Sequence, residues 1–122
     1  SSLICPVIST GASNAVYAAC YRAQNGRIIR AGEYYVGDMK GLSEMIKEPA
    51  VVVGTGAESY GRLIREVTGN TVKAVEALPS GAVVARLAAI RFERGESDNA
   101  LSLAPLYLKE STARALSERR SN

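Results

Sequence analysis

The residues of this chain best placed to do chemistry are Gly54-Thr55-Gly56, which lie between an apolar, β-branched run from Val51 and a helical pattern starting near Glu58. Glycines at such a turn let the backbone approach a pyrophosphate at a helix N-terminus, and Glu76 stands near the spacing of an acidic ribose ligand. Ser59 occupies the place of the third glycine of that fingerprint, and only one parallel βαβ unit can be drawn, so a complete dinucleotide site is not expected. A plain tight turn is the competing reading. Ala57-Glu58-Ser59-Tyr60-Gly61 carries part of a nucleophile-elbow pattern but lacks its first glycine. With 0 His in the sequence, no imidazole can activate Ser59, Cys5 or Cys20, which excludes the usual serine and cysteine triads. Lys40, Lys47, Lys73 and Lys109 are the candidate bases that remain, and no spacing selects one of them. The carboxylates are scattered, Glu44 and Glu48 being the nearest pair, and read as solvated surface charge.

Cys5 and Cys20 fall in two strand-like segments that flank one loop, so the reading allows them to be cross-strand neighbours and takes them as reduced, buried thiols. They have no zinc-ligand spacing. The tyrosines of the opening region include Tyr17 and Tyr21, which a pleated strand shows on one face, as core or as a surface for a partner. The net charge of +3 is concentrated at the end of the chain, where residues 109–122 hold four basic and two acidic side chains. With 0 Trp and 1 Phe and no basic face interleaved with aromatics, direct nucleic-acid binding is not expected. The longest apolar runs, Ala15 to Tyr21 and Ala50 to Val53, fall far short of the roughly 20 residues a spanning helix needs. Ser1 to Val7 does not read as a signal peptide, and the expected location is cytoplasmic. The chain does not open on Met, and a piece of a longer protein is expected.

These residues need a scaffold. At 122 residues with 47% hydrophobic and 22% charged side chains, the composition is that of one folded domain rather than a disordered chain. Leu3 to Ser9, Ala15 to Arg22 and Arg27 to Val36 read as three strands, the last two joined by Asn25-Gly26, a strong hairpin signal. Asp38 is the expected cap of a short helix whose Met39, Leu42 and Ile46 share a face and which Pro49 ends. Ala50 to Val53 suits a strand covered on both faces. Tyr60, Leu63, Ile64 and Val67 mark the buried side of the clearest helix, with Glu58, Arg62 and Glu66 outward. Gly69 and Asn70 stop it before a strand at Val72 to Val75, and Pro79-Ser80 open a third helix with Val83, Leu87 and Ile90 as its buried stripe. Leu103 to Leu108 reads as extended and Ser111 to Asn122 as a frayed helix or disorder. The expected architecture is α/β: a mixed five-stranded sheet whose antiparallel meander is followed by α-β-α-β-α.

Three strings, in order, resemble those of one family. Ala15-Val16-Tyr17-Ala18-Ala19, then Val51-Val52-Val53-Gly54-Thr55-Gly56-Ala57 with Tyr60 after it, then Ala104-Pro105-Leu106-Tyr107-Leu108-Lys109 are similar to the E-V-Y-W-A, V-G-N-G and P-V-Y-L-R patterns of the TsaB (YeaZ) family, in its C-terminal half. Ser9-Thr10-Gly11 and Asn14-Ala15 stand where that family carries Asp-Ala-Arg and a Glu before Val-Tyr. The resemblance implies an RNase H-like, actin-like ATPase (ASKHA) subdomain over residues 1–108, followed by a basic tail over 109–122, with the N-terminal subdomain absent. It implies a non-catalytic scaffold of the machinery that makes threonylcarbamoyladenosine next to the tRNA anticodon, an inactive homologue of glycoproteases and M22 peptidases. The partners it implies are the catalytic paralogue TsaD and the ATPase TsaE, a homodimer being a further expectation, with tRNA met only through the complex. Tyr17, Pro105, Tyr107 and Lys109 are its motif or partner residues. It implies no metal and no cofactor for this half alone, while ATP or ADP in the full complex would be met by Gly54, Thr55 and Gly56.

Overall fold

A computed structural model describes residues 2–11 and 15–108. The chain divides into two units, Ser1–Leu78 and Pro79–Asn122. In the first, seven strands and two helices follow the order β1 (Leu3–Ser9), β2 (Ala15–Ala18), β3 (Tyr21–Gln24), β4 (Arg27–Arg30), β5 (Tyr35–Asp38), α1 (Met39–Met45), β6 (Ala50–Gly54), α2 (Ala57–Thr68) and β7 (Val72–Glu76).

The five expected strands become seven because two of them are interrupted, and the register shows how. One ladder runs antiparallel from Ser9↔Val16 through Val7↔Ala18 to Ile4↔Tyr21, so β2 and β3 lie along β1 as one strand broken at Ala19 and Cys20. On its other edge β3 pairs β4 with Tyr21↔Arg30, and β2 pairs β5 with Ala18↔Tyr35. The Ala31 amide still donates to Cys20 O at 2.7 Å. Between the two ladders Ala19 alone therefore opposes Gly32, Glu33 and Tyr34, a bulge two residues deep in which Gly32 takes φ 104°. A slip of two keeps every side chain on its own face, so hydrophobic alternation does not reveal it. Asn25 (φ 50°) and Gly26 (φ 75°) turn the β3–β4 hairpin as the Asn-Gly pair predicts.

Parallel strands β6 and β7 complete the sheet on the far side of β1, through Leu3↔Ala50 and Ala50↔Val72. Helices α1 and α2 cover one face. Under them Leu3, Cys5, Val7, Val16, Ala18, Ala50, Val52 and Val72 meet Leu42, Ile46, Ala57 and Ile64 in a single buried cluster. On the other face Tyr17 and Tyr21 are both half-buried, as are Val51 and Val53, so β6 is fully covered on one face within this unit and not on both as expected. The predicted stripe of α2 is also corrected. Ala57, Gly61 and Ile64 are its buried residues, whereas Leu63 and Val67 remain 42% and 52% exposed, because the helix rests its small-residue side on β6 and β7 and Gly61 lies against Val72 and Ala74.

Helix α1 starts where Asp38 was expected to start it, its Oδ1 accepting the Gly41 amide at 2.8 Å. It ends at Met45, so Glu48 is not on the helix with Glu44 but beyond it, paired with Arg22. Helix α2 closes on Gly69 in a left-handed conformation (φ 69°).

The second unit contains α3 (Gly81–Glu93), capped by the Ser80 hydroxyl, which accepts the Val83 amide at 3.4 Å. Its expected buried stripe is not found: Val83, Leu87 and Ile90 are all exposed and no residue of α3 is buried. A lone helix followed by turns offers no second layer of its own to bury a stripe. The segment 103–108, expected to be extended, belongs to no strand. The expected basic tail, residues 109–122, lies outside the described residues.

Candidate functional site

The carboxyl ends of the parallel strands β1, β6 and β7 lie side by side, and it is there that open α/β sheets bind ligands. The Gly54-Thr55-Gly56 turn stands at the end of β6. Gly54 takes φ 140°, and a Cβ built on it would overlap the Val7 carbonyl of β1, so this glycine is fixed by the closeness of two strands. Gly56 takes φ 82° and caps α2 from a left-handed conformation, with the Tyr60 ring against it.

Two of the amides that a phosphate would use, those of Gly56 and Glu58, are taken by the protein itself. Glu76, the last residue of β7, accepts the Gly56 amide through Oε2 and the Glu58 amide through Oε1, both at 3.0 Å. Those two hydrogen bonds hold its carboxyl below the usual carboxylate range. The sequence spacing that suggested a ribose ligand thus reports a backbone contact: Glu76 and the Gly54–Gly56 turn do come together, with the carboxylate in the position of an anion at the start of α2.

Beside this turn a cleft of about 350 Å³ is lined by Ser9, Val16, Asp38, Met39, Tyr60 and Leu63. Asp38 and Ser9, two of its polar residues, are engaged locally. Asp38 caps α1, and Ser9 Oγ accepts the Gly11 amide at 3.1 Å. Tyr35 donates to the Asp38 carbonyl at 2.7 Å with its ring end set between Gly37 and Gly41. Among the described residues no three His, Cys, Asp or Glu side chains gather as a metal site would require, and no helix is long and apolar enough to cross a membrane.

The remaining motif residues are dispersed. Tyr17 is on β2, paired with Ile8 of β1 and Val36 of β5. Pro105 and Tyr107 are exposed in the second unit, and Lys109 lies outside the described residues. Cys5 and Cys20, read as free thiols that could be cross-strand neighbours, are both free, Cys5 buried and Cys20 half-buried; what sequence reasoning missed is that each perturbs the other.

No family model matches the chain, and no curated protein does at a significant level. Solved structures do. A protein of Pseudomonas aeruginosa described as similar to the peptidase YeaZ superposes with a TM-score of 0.65 at 23% identity, over 88% of this chain and 50% of that one. YeaZ from Pseudomonas aeruginosa superposes with a TM-score of 0.61 at 24% identity, over 86% and 48%. The chain has the fold of YeaZ. It spans about half the length of those two structures. The likeness read from the three strings therefore extends to the path of the backbone, with the second string at the β6–α2 turn of the YeaZ-like sheet and the first in β2 and the residue after it.

Proposed function

We propose that this chain is one lobe of a TsaB-type scaffold, with an RNase H-like sheet, that serves threonylcarbamoyladenosine formation on tRNA without performing catalysis itself. The observation that carries the reading is the match to YeaZ over 86% of this chain and only 48% of the other, a share expected of one lobe of two. The sheet order supports the lobe assignment: the β4 and β5 band, the β3 and β2 band, β1, β6, β7, with the first three positions antiparallel and the last three parallel. Support for a role without chemistry comes from the cleft, where Asp38 and Ser9 each serve a backbone amide, from Glu76 doing the same at the turn beside it, and from a sequence that offers 0 His.

In this reading the partners are TsaD and TsaE homologues, the location is the cytoplasm, and tRNA is reached through the complex. The exposed Leu63 and Val67 of α2 and Ile8 and Val36 of the sheet are surface for the remaining parts of the assembly. A nucleotide that met Gly54, Thr55 and Gly56 in the full complex would have to compete with the Glu76 carboxylate for the Gly56 amide. Co-purification tests the proposal: tagged full-length protein should retain the TsaD homologue of its own cell, and a pull-down that lacks it would overturn the assignment.

A further inference from the structure

Cys5 of β1 and Cys20, just before β3, form a cross-strand pair. The ladder that joins Val7 to Ala18 and Ile4 to Tyr21 places Cys5 opposite Cys20. Because the Ala19 amide donates to the Pro6 carbonyl at 3.3 Å, the adjoining Cys5–Cys20 pair is a non-hydrogen-bonded one, and both side chains point to the helix-covered face. Cα atoms at such a pair stand about 4.5 Å apart, at the near end of the range a disulfide spans.

The two sulfurs differ in access and in charge. Cys5 is fully buried, whereas Cys20 opens into a cleft of about 300 Å³ lined also by Arg22, Met45, Lys47 and Glu48. A hydrogen bond from the Cys5 thiol to Cys20 Sγ, with burial, pushes Cys5 far up. The same bond brings Cys20 down to about 7, against its own desolvation, with Arg22 helping and Glu48 opposing. Thiolate character, access and an adjoining second thiol are the three attributes of a redox-reactive cysteine.

We propose that Cys5 and Cys20 are a dithiol site that low-molecular-mass disulfides of anionic thiols, such as oxidised glutathione, convert to a cross-strand disulfide. Lys47 and Arg22, the latter paired with Glu48, leave the cleft one net positive charge for the carboxylates of such a reagent. The Cys20 thiolate attacks one sulfur of the reagent, forming a mixed disulfide and expelling one thiolate, which takes up the Cys5 proton. Cys5 then attacks Cys20 Sγ and expels the second thiolate, which is protonated from water. Counting the proton that Cys20 released to water on ionising, the dithiol loses two electrons and two protons, and the reagent is reduced to two thiols. The bond ties β1 to β3 in the middle of the sheet and restricts the unfolded chain between residues 5 and 20, so the oxidised form resists denaturation more than the reduced form.

The test is intact-mass analysis and peptide mapping of the full chain after incubation in glutathione buffers of rising oxidised fraction. The expected product is lighter by two hydrogens, with Cys5 and Cys20 in one linked peptide pair and reversal by dithiothreitol. Cys5→Ala should stop at one glutathionyl group on Cys20, with a pH midpoint of the rate above that of wild-type Cys20 because the hydrogen bond that lowers Cys20 is gone, and Cys20→Ser should leave Cys5 unmodified. Wild-type protein that keeps both thiols free in fully oxidised glutathione, or that stops at a mixed disulfide, would overturn the proposal. The wild-type readings decide it even where a variant folds poorly.

Discussion

The carboxylate of Glu76 receives two amides, those of Gly56 and Glu58, that the start of α2 would otherwise leave to water. Its pKa is lowered in the folded chain, so its contribution to stability is complete above the ordinary carboxylate range and is lost as pH falls through the depressed folded value. Glu76→Gln should therefore lower the thermal midpoint at pH 7, and the gap from wild type should close in acid. A gap that is the same at pH 7 and pH 3 would refute the contact. Gly54 depends on sterics alone. Gly54→Ala places a methyl group against the Val7 carbonyl at φ 140° and should cost about 3 kcal/mol in urea denaturation. A cost under about 1 kcal/mol would mean that β1 and β6 can separate there.

Each helix of the first unit rests on one or two decisive side chains. Asp38→Ala removes the cap of α1 and should lower stability by about 1 kcal/mol, read from the urea midpoint at unchanged slope. Ile64→Ala empties the centre of the α2 contact, where Ile64 has no exposed surface, and should cost about 3 kcal/mol by the same measurement. The cap, the Asn25-Gly26 hairpin and the Gly69 stop were legible because each is written in a few adjacent residues. The break at Ala19 and Cys20 and the bulge at Gly32 to Tyr34 were not, since a slip of two leaves the face pattern unchanged. Leu63 and Val67 match a helical period as well as any buried pair does. Periodicity gives the apolar side of a helix but not which part of it another layer covers. The Glu76 contact joins residues 18 and 20 apart in sequence, and only the folded crossover makes it visible.

At the scale of the molecule, the chain has the fold of YeaZ over about half the length of those structures, and the proposed supporting role and a free-standing nucleotide module predict different ligand binding. Isothermal calorimetry with ATP, ADP and NAD should give no heat of binding at millimolar ligand for this chain alone, and a saturable isotherm would restore the nucleotide reading for Gly54, Thr55 and Gly56. The central claim concerns tRNA, and nucleoside mass spectrometry of tRNA from cells depleted of their TsaB tests it most directly. Supplying the full-length protein should restore threonylcarbamoyladenosine to the level before depletion. Expression of the folded protein with the modification still missing would contradict the account.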